Sequence, residues 1–255
     1  MKLTKATLLA LSAFLLINSP VFAVVPVGDS AYITQAGDNG TITTTQTANG
    51  DPNTIHVTQY VDSDTETANV TQQGSGNLNA TVDQYGSFDH ATVNQYGHDN
   101  TATITQNLDG DTNTATVTQS GIIGNATITQ SGTTNGAEIN QGSDSNVEIA
   151  SITQAIGINQ AYISQNGSSD NATITQNGAG NTANIYQYVG SAYNQATITQ
   201  EANNTANIYQ HGSYLVATID QSGDYNTGTI DQTNGSKNAE ITQSGNSNIA
   251  SATQH

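Results

Sequence analysis

The sequence predicts an all-β chain: a β-solenoid of about ten strand-turn-strand rungs, two half-repeats to the rung, with the strands stacked in cross-β fashion. Three observations predict it. A Gln recurs along the chain, most often every 11 residues. Ahead of each Gln, small and apolar residues occupy alternate positions, the period of a strand with one buried face. Gly and Asn bracket each of these short segments, and both tolerate the dihedrals of tight turns.

The recurring residues are Gln35, Gln46, Gln59, Gln72, Gln84, Gln95, Gln106, Gln119, Gln130, Gln141, Gln154, Gln165, Gln176, Gln187, Gln200, Gln210, Gln221, Gln232, Gln243 and Gln254. Two residues before the Gln stands Ile or Val in 18 of the 20 copies, and four before it stands Ala in 17. Ala, Ile and Gln therefore share one face of a strand. The expected core includes Ile104, Val117, Ile128, Ile139, Ile152, Ile163, Ile174, Ile185, Ile198, Ile208, Ile219, Ile230 and Ile241, with the Gln side chains stacked beside it as a structural ladder. The intervening residues are mostly Thr, a good strand former with a polar tip. Thr, Gly and Asn are poor helix formers and the period is 2, so a helix is excluded.

The unit reads Asn-x-Ala-x-Ile-x-Gln-x-Gly, with Asn100, Asn113, Asn181 and Asn226 ahead of their strands and Gly37, Gly74, Gly86, Gly97, Gly121 and Gly132 behind. Five intervals are 13 residues long, and each follows a Gln without Gly two positions on. The extra residues thus fall in turns, as in Asn107-Leu108-Asp109-Gly110-Asp111, and leave the strands in phase. Stacking puts copy n over copy n+2. The outward acids Asp83, Glu138, Asp220, Asp231 and Glu240 then never meet a like charge at the same offset, while Tyr60 and Tyr85, and Tyr186 and Tyr209, fall one above the other.

The first 23 residues read as a secretory signal peptide: Lys2 and Lys5, an apolar run from Ala6 to Ile17, then Pro20 and the small-residue site Val21-Phe22-Ala23. The run is too short to span a bilayer. The organisation expected is a leader over 1–23, a short segment over 24–29 and the solenoid over 30–255. Net charge is −17; all twenty acidic residues but only Lys237 among the cations lie beyond Ala23, so the processed chain is near −19. Such a polyanion excludes phosphate-led nucleic-acid binding, and neither membrane insertion nor an anionic lipid surface suits it. Without Cys, no disulfide holds the secreted chain together.

The aliphatic core is too small to order the backbone alone, so strand pairing and Gln amide ladders must contribute much of the stability. Soluble proteins block open sheet edges with Lys, Pro or a cap. Here the final copy, Asn248 to His255, is a plain repeat, which predicts open rungs and head-to-tail addition of further copies of the chain.

Other functions fit less well. Thr-x-Thr pairs such as Thr43/Thr45, Thr103/Thr105, Thr116/Thr118, Thr127/Thr129, Thr173/Thr175 and Thr197/Thr199 suit an ice-binding face, but Tyr162/Ser164, Asn184/Tyr186 and Asn207/Tyr209 interrupt the series. His90 and His98 fall in or near turns of adjacent copies and read as solvated, as do the pairs Asp62/Asp64 and Asp109/Asp111. No nucleophile–base set recurs. No enzyme activity, catalytic residue, cofactor or metal site is expected.

The pattern Gln-x-Gly-x-x-Asn-x-Ala-x-x-x-Gln resembles the curlin repeat of bacterial curli fibres. It stands in Gln95, Gly97, Asn100, Ala102 and Gln106, in Gln176, Gly178, Asn181, Ala183 and Gln187, and in Gln221, Gly223, Asn226 and Gln232 with Gly228 in place of Ala. Val24-Val25-Pro26 is also similar to the start of the family's major subunit, and the resemblance covers nearly the whole processed chain. It implies a secreted functional amyloid of the biofilm matrix, forming an adhesive fibre (fimbrium) on the bacterial surface. It also implies two partners, a nucleating minor subunit and a dedicated outer-membrane secretion pore. The chain departs from the family in having about twice the usual rungs and almost no Gly-rich segment ahead of them. The minor subunit's basic last repeat is missing too, so the resemblance favours the major subunit.

Overall fold

The computed structural model describes residues 21–24, 28–36, 38–48, 51–60, 65–107, 112–142 and 146–255. Residues 1–20 of the leader expected over 1–23, Val25 and Pro26, Gly37, the pair Asp62/Asp64 and the insert Leu108–Asp111 lie outside the described residues.

Among the described residues, twenty-one strands form two parallel sheets. Sheet A holds β1 (Val21–Val24), β3 (Thr41–Ala48), β5 (Thr67–Gly74), β7 (His90–Gln95), β9 (Thr114–Gln119), β11 (Gly136–Gln141), β13 (Gln160–Gln165), β15 (Thr182–Gln187), β17 (Thr205–His211), β19 (Thr227–Thr233) and β21 (Ile249–Gln254) in that order. Sheet B holds β2 (Ser30–Gln35), β4 (Thr54–Gln59), β6 (Asn79–Gln84), β8 (Thr101–Gln106), β10 (Asn125–Gln130), β12 (Ile149–Gln154), β14 (Asn171–Gln176), β16 (Gln195–Ala202), β18 (Val216–Asp224) and β20 (Asn238–Ser244). Successive strands alternate between the sheets, so the molecule is a β-solenoid of two half-repeats per rung.

Register follows the repeat. Ala stacks on Ala, Ile on Ile and Gln on Gln, as in Ala126↔Ala150, Ile128↔Ile152 and Gln130↔Gln154. The interval of 13 residues between β8 and β9 leaves both strands in phase with their neighbours. The one interval of 10 residues, Gln200 to Gln210, is accommodated by a register shift after Gln200, where Ala202 meets Asp224.

The core is a single column between the sheets. Ile104, Val117, Ile128, Ile139, Ile152, Ile163, Ile174, Ile185, Ile198, Ile208, Ile219 and Ile230 are fully buried and Ile241, on the last strand of sheet B, nearly so. Inward and outward residues alternate along each strand, as the pleat requires. The outward acids stack on neutral residues, Asp83 on Thr105 and Glu138 on Tyr162. Tyr60 and Tyr85 stack with centroids 3.8 Å apart, and Tyr186 and Tyr209 at 5.3 Å.

The arcs depart from the sequence expectation. Left-handed backbone falls mainly seven residues before each Gln, often at bulky residues: Phe88 (φ 58°), Ile123 (φ 59°), Val147 (φ 57°) and Tyr193 (φ 57°). Such residues resist φ > 0 in isolation. Stacking compensates, because the N–H of Ile123 donates to the His98 carbonyl below (2.9 Å) and that of Val147 to Ile122 (2.9 Å). Gly97, expected to serve a left-handed turn, serves a close approach: a Cβ there would lie 1.8 Å from the Gly121 carbonyl oxygen of the next arc.

Candidate assembly interface

The chemistry of this molecule runs along its axis and ends at its two open rungs. The recurring Gln are inward because they share the parity of the Ile column, and their amides join from rung to rung. Each Nε2 up to that of Gln232 donates to the Oε1 of the Gln one rung further along the chain, in 18 bonds of 2.7–3.1 Å that link all twenty residues into two ladders. From Gln72 onward, Nε2 also donates across the core to the first carbonyl of the preceding strand, as Gln119 does to Thr101 (3.0 Å) and Gln176 to Gln160 (3.0 Å). The crossing bond fixes which amide atom is the donor, so every step of the ladder points the same way.

A second buried column stands six residues before each Gln, where the sequence pattern suggests only turn Asn. In sheet A it runs Asp89, Asn113, Asn135, Asn159, Asn181, Asn204, Asn226, Asn248. Each side-chain oxygen accepts the backbone N–H of the next residue in the column, at 2.8–3.1 Å. These N–H groups lie at the turn where the strand ladder has not yet begun, and burial would otherwise make them costly. The Nδ2 groups tie the arcs, Asn135 to the Ser131 carbonyl (2.8 Å) and Asn194 to the Gly212 carbonyl (2.8 Å). The signal was present: an offset of six shares the parity of offsets four and two, so these residues had to face inward.

That column also buries acids. Asp29, Glu66, Asp89, Glu148 and Asp170 are at most 1% exposed. Burial pushes the Asp170 carboxyl up, partly offset by hydrogen bonds from the Asn194 N–H (2.8 Å) and the Ser191 hydroxyl (2.9 Å). On the outer surface, the bond between Tyr85 and the Tyr60 hydroxyl helps push the Tyr85 phenol up to about 12.

Other candidate groups do not converge. His90 opens β7 and His98 sits in an arc, both exposed, with His98 2.8 Å from the Ser75 hydroxyl. Among the described residues no group of three or more His, Cys, Asp or Glu is placed to hold a metal. The Thr pairs, however, are better ordered than the sequence series implied. Tyr162/Ser164, Asn184/Tyr186 and Asn207/Tyr209 all lie on sheet A. Sheet B therefore carries an uninterrupted outer array of Thr103/Thr105, Thr127/Thr129, Ser151/Thr153, Thr173/Thr175 and Thr197/Thr199.

At the end of the stack bearing β20 and β21, no described strand covers either sheet. Ile249 is 85% exposed, and Ala250 and Ala252 are only partly buried. At the opposite end β2 is the bare edge of sheet B, and Ala31 and Ile33 are partly buried. There Gln46 Oε1 is buried without a hydrogen bond among the described residues, as is Asp29 Oδ2. The two ends are complementary: donors of the Gln ladder face outward at one, acceptors at the other.

The curlin associated repeat matches residues 67–97, 79–107, 89–121, 159–188 and 202–233. No curated protein matches the chain. The matched segments share one rung geometry with the copies between and around them, and both the repeat and the solenoid it builds are structural in kind. The chain belongs to the curlin family.

Proposed function

We propose that the chain is the structural subunit of an extracellular curli-type amyloid fibre, secreted to the bacterial surface and polymerising head to tail to give the adhesive matrix of a biofilm. One observation carries this reading: the Gln ladders are complementary at the two ends, with donors on the uncovered β20 and β21 and acceptors at Gln35 on the bare β2 and at Gln46 on β3, whose edge β1 holds until the leader is cleaved. Bare edges with matching hydrogen-bonding rows favour strand addition. Lys237 is the only Lys or Arg among the described residues, which suits the major subunit better than the nucleating one. A nucleating subunit and an outer-membrane pore are the further partners of this role.

The test is polymerisation of the purified processed chain at micromolar concentration. Fibres giving reflections at about 4.7 and 10 Å are expected; a chain that stays monomeric overturns the reading. The five successive sheet B strands with Thr or Ser at both outer positions favour a second reading, ice binding, for which thermal hysteresis is the measurement. Freezing behaviour no different from that of an equally charged control protein excludes it.

A further inference from the structure

The inner column six residues before each Gln runs through sheet B as Asp29, Asn53, Leu78, Asn100, Gly124, Glu148, Asp170, Asn194, Leu215 and Lys237. Its first member is a buried acid and its last is the only Lys or Arg among the described residues. We infer that Lys237 of one copy pairs with Asp29 of the next, and that this pair sets the register and polarity of the subunit junction. The inference rests on the assembly reading and specifies the surface by which a second copy docks.

The groups at each end fit this role. Asp29 is 1% exposed; its Oδ1 accepts the Asn53 N–H (2.9 Å), and its Oδ2 has no partner among the described residues. Lys237 is half-buried, and its Nζ donates to the Thr233 carbonyl (2.7 Å), leaving donors to spare. If β2 of a second copy continues sheet B above β20, the two residues are neighbours in the column, about 4.8 Å apart at the backbone. The side chain of Lys237 spans that step. Every other row continues in the same register. Gln243 Nε2 meets Gln35 Oε1 of the next copy, Gln254 Nε2 meets the buried, unbonded Oε1 of Gln46, and the Asn248 side-chain oxygen meets the N–H of Gly40. That last step repeats the bond within the chain from the Gly124 N–H to Asn100 Oδ1 (2.7 Å).

A junction with the sheets exchanged sets Lys237 against Gly40 and leaves the Asp29 carboxylate facing Asn248. That junction leaves the Lys237 ammonium without a carboxylate beside it and the second Asp29 oxygen without a cation. The pair therefore discriminates between two ways of stacking that the Gln columns by themselves accept equally. Strand β1 lies on the edge of β3 that β21 of the neighbour must take. Cleavage after Ala23 removes three of its four residues.

The processed chain has a single Lys, which makes the test direct. Fibres grown from the chain beginning at Val24 are treated with a water-soluble carbodiimide, which joins a Lys amine to a carboxylate in contact with it, and then digested for mass spectrometry. An isopeptide between Lys237 and Asp29, found only in fibres and not in monomer, is expected. Fibres in which Lys237 joins another carboxylate, or none, overturn the junction while leaving the assembly reading intact. A chain that grows no fibres overturns both. In seeded growth, K237D and D29K should each slow elongation about tenfold, and the two together should restore it. Unchanged rates in the single variants count against the pair.

Discussion

A buried Gln in this chain makes three hydrogen bonds, two along the axis and one across the core. Gln119 accepts from Gln95 (2.9 Å) and donates to Gln141 (2.8 Å) and to the Thr101 carbonyl (3.0 Å). Gln119→Leu keeps the apolar volume but leaves buried amide and carbonyl groups unmatched, so a loss of about 2–4 kcal/mol is expected in urea unfolding. Thr118, one position away and facing outward, should tolerate Ala within about 0.5 kcal/mol in the same assay. Asp170 gives a pH signature. Its folded carboxyl holds its proton to a higher pH than the unfolded one, because burial disfavours the charge. The native state therefore binds the proton more tightly, and the chain loses stability as pH rises from the ordinary carboxylate value through the raised one. Asp170→Asn should raise the urea midpoint at pH 7 and bring a shrinking gain toward pH 4. An equal gain at both values would remove burial as the cause.

At the scale of the element, each half-repeat is a strand whose turn is closed by its neighbours rather than by itself. The Asn135 side chain accepts the Asn159 N–H (3.1 Å) from the rung above and holds its own arc through Ser131 (2.8 Å). Asn135→Ala should cost about 1–3 kcal/mol, more than the same change at an exposed Asn such as Asn246. Asn135→Asp should retain part of it, because the accepting oxygen remains. Gly97 tests the spacing of the arcs. With a Cβ 1.8 Å from the Gly121 carbonyl, Gly97→Ala must push two arcs apart, at a cost of about 1–3 kcal/mol in the same measurement. Strand existence, inward parity and the Gln ladder were legible because period-2 patterning states them directly. The Asn column was legible in principle, by extending the same parity two residues further. The left-handed bulky residues were not, since what makes Ile123 and Val147 acceptable there is a hydrogen bond to an arc more than twenty residues away.

On the scale of the whole molecule, stability accumulates step by step along two sheets that share one core, so an internal rung is supported from both sides and a terminal one from one side. The partial exposure of Ala250 and Ala252 on β21, against the full burial of their counterparts Ala206 and Ile208 on β17, expresses this difference. Hydrogen exchange should therefore be fastest in β20 and β21 of the monomer and slow in β9 to β16, and fibre formation should protect the terminal strands first. Uniform protection in the monomer would contradict the open-rung picture. Retaining Val21–Val24 as β1 should slow fibre growth at that end, because β1 covers the edge of β3; seeded growth of chains starting before and after these residues compares the two directly.

The repeat of Ala, Ile or Val and Gln at alternate positions carries the fold class, the inward face, the two-copy rung and the membership in the curlin family, because each is a property of local pattern repeated at a constant interval. Which copies share a sheet is also set by counting. The consequences of that sharing arise only in three dimensions. Separating odd from even copies places the interrupting Tyr residues on sheet A and gathers Thr and Ser at both outer positions of β8 to β16 on sheet B. Packing the sheets face to face lets each Gln reach a carbonyl of the opposite strand, which gives the ladder its direction. Bringing the first and last members of one column to opposite ends of the rod sets Asp29 against Lys237 in a growing stack. These are long-range juxtapositions, and a sequence pattern of short period holds no information about them until the backbone hydrogen bonds close the rungs.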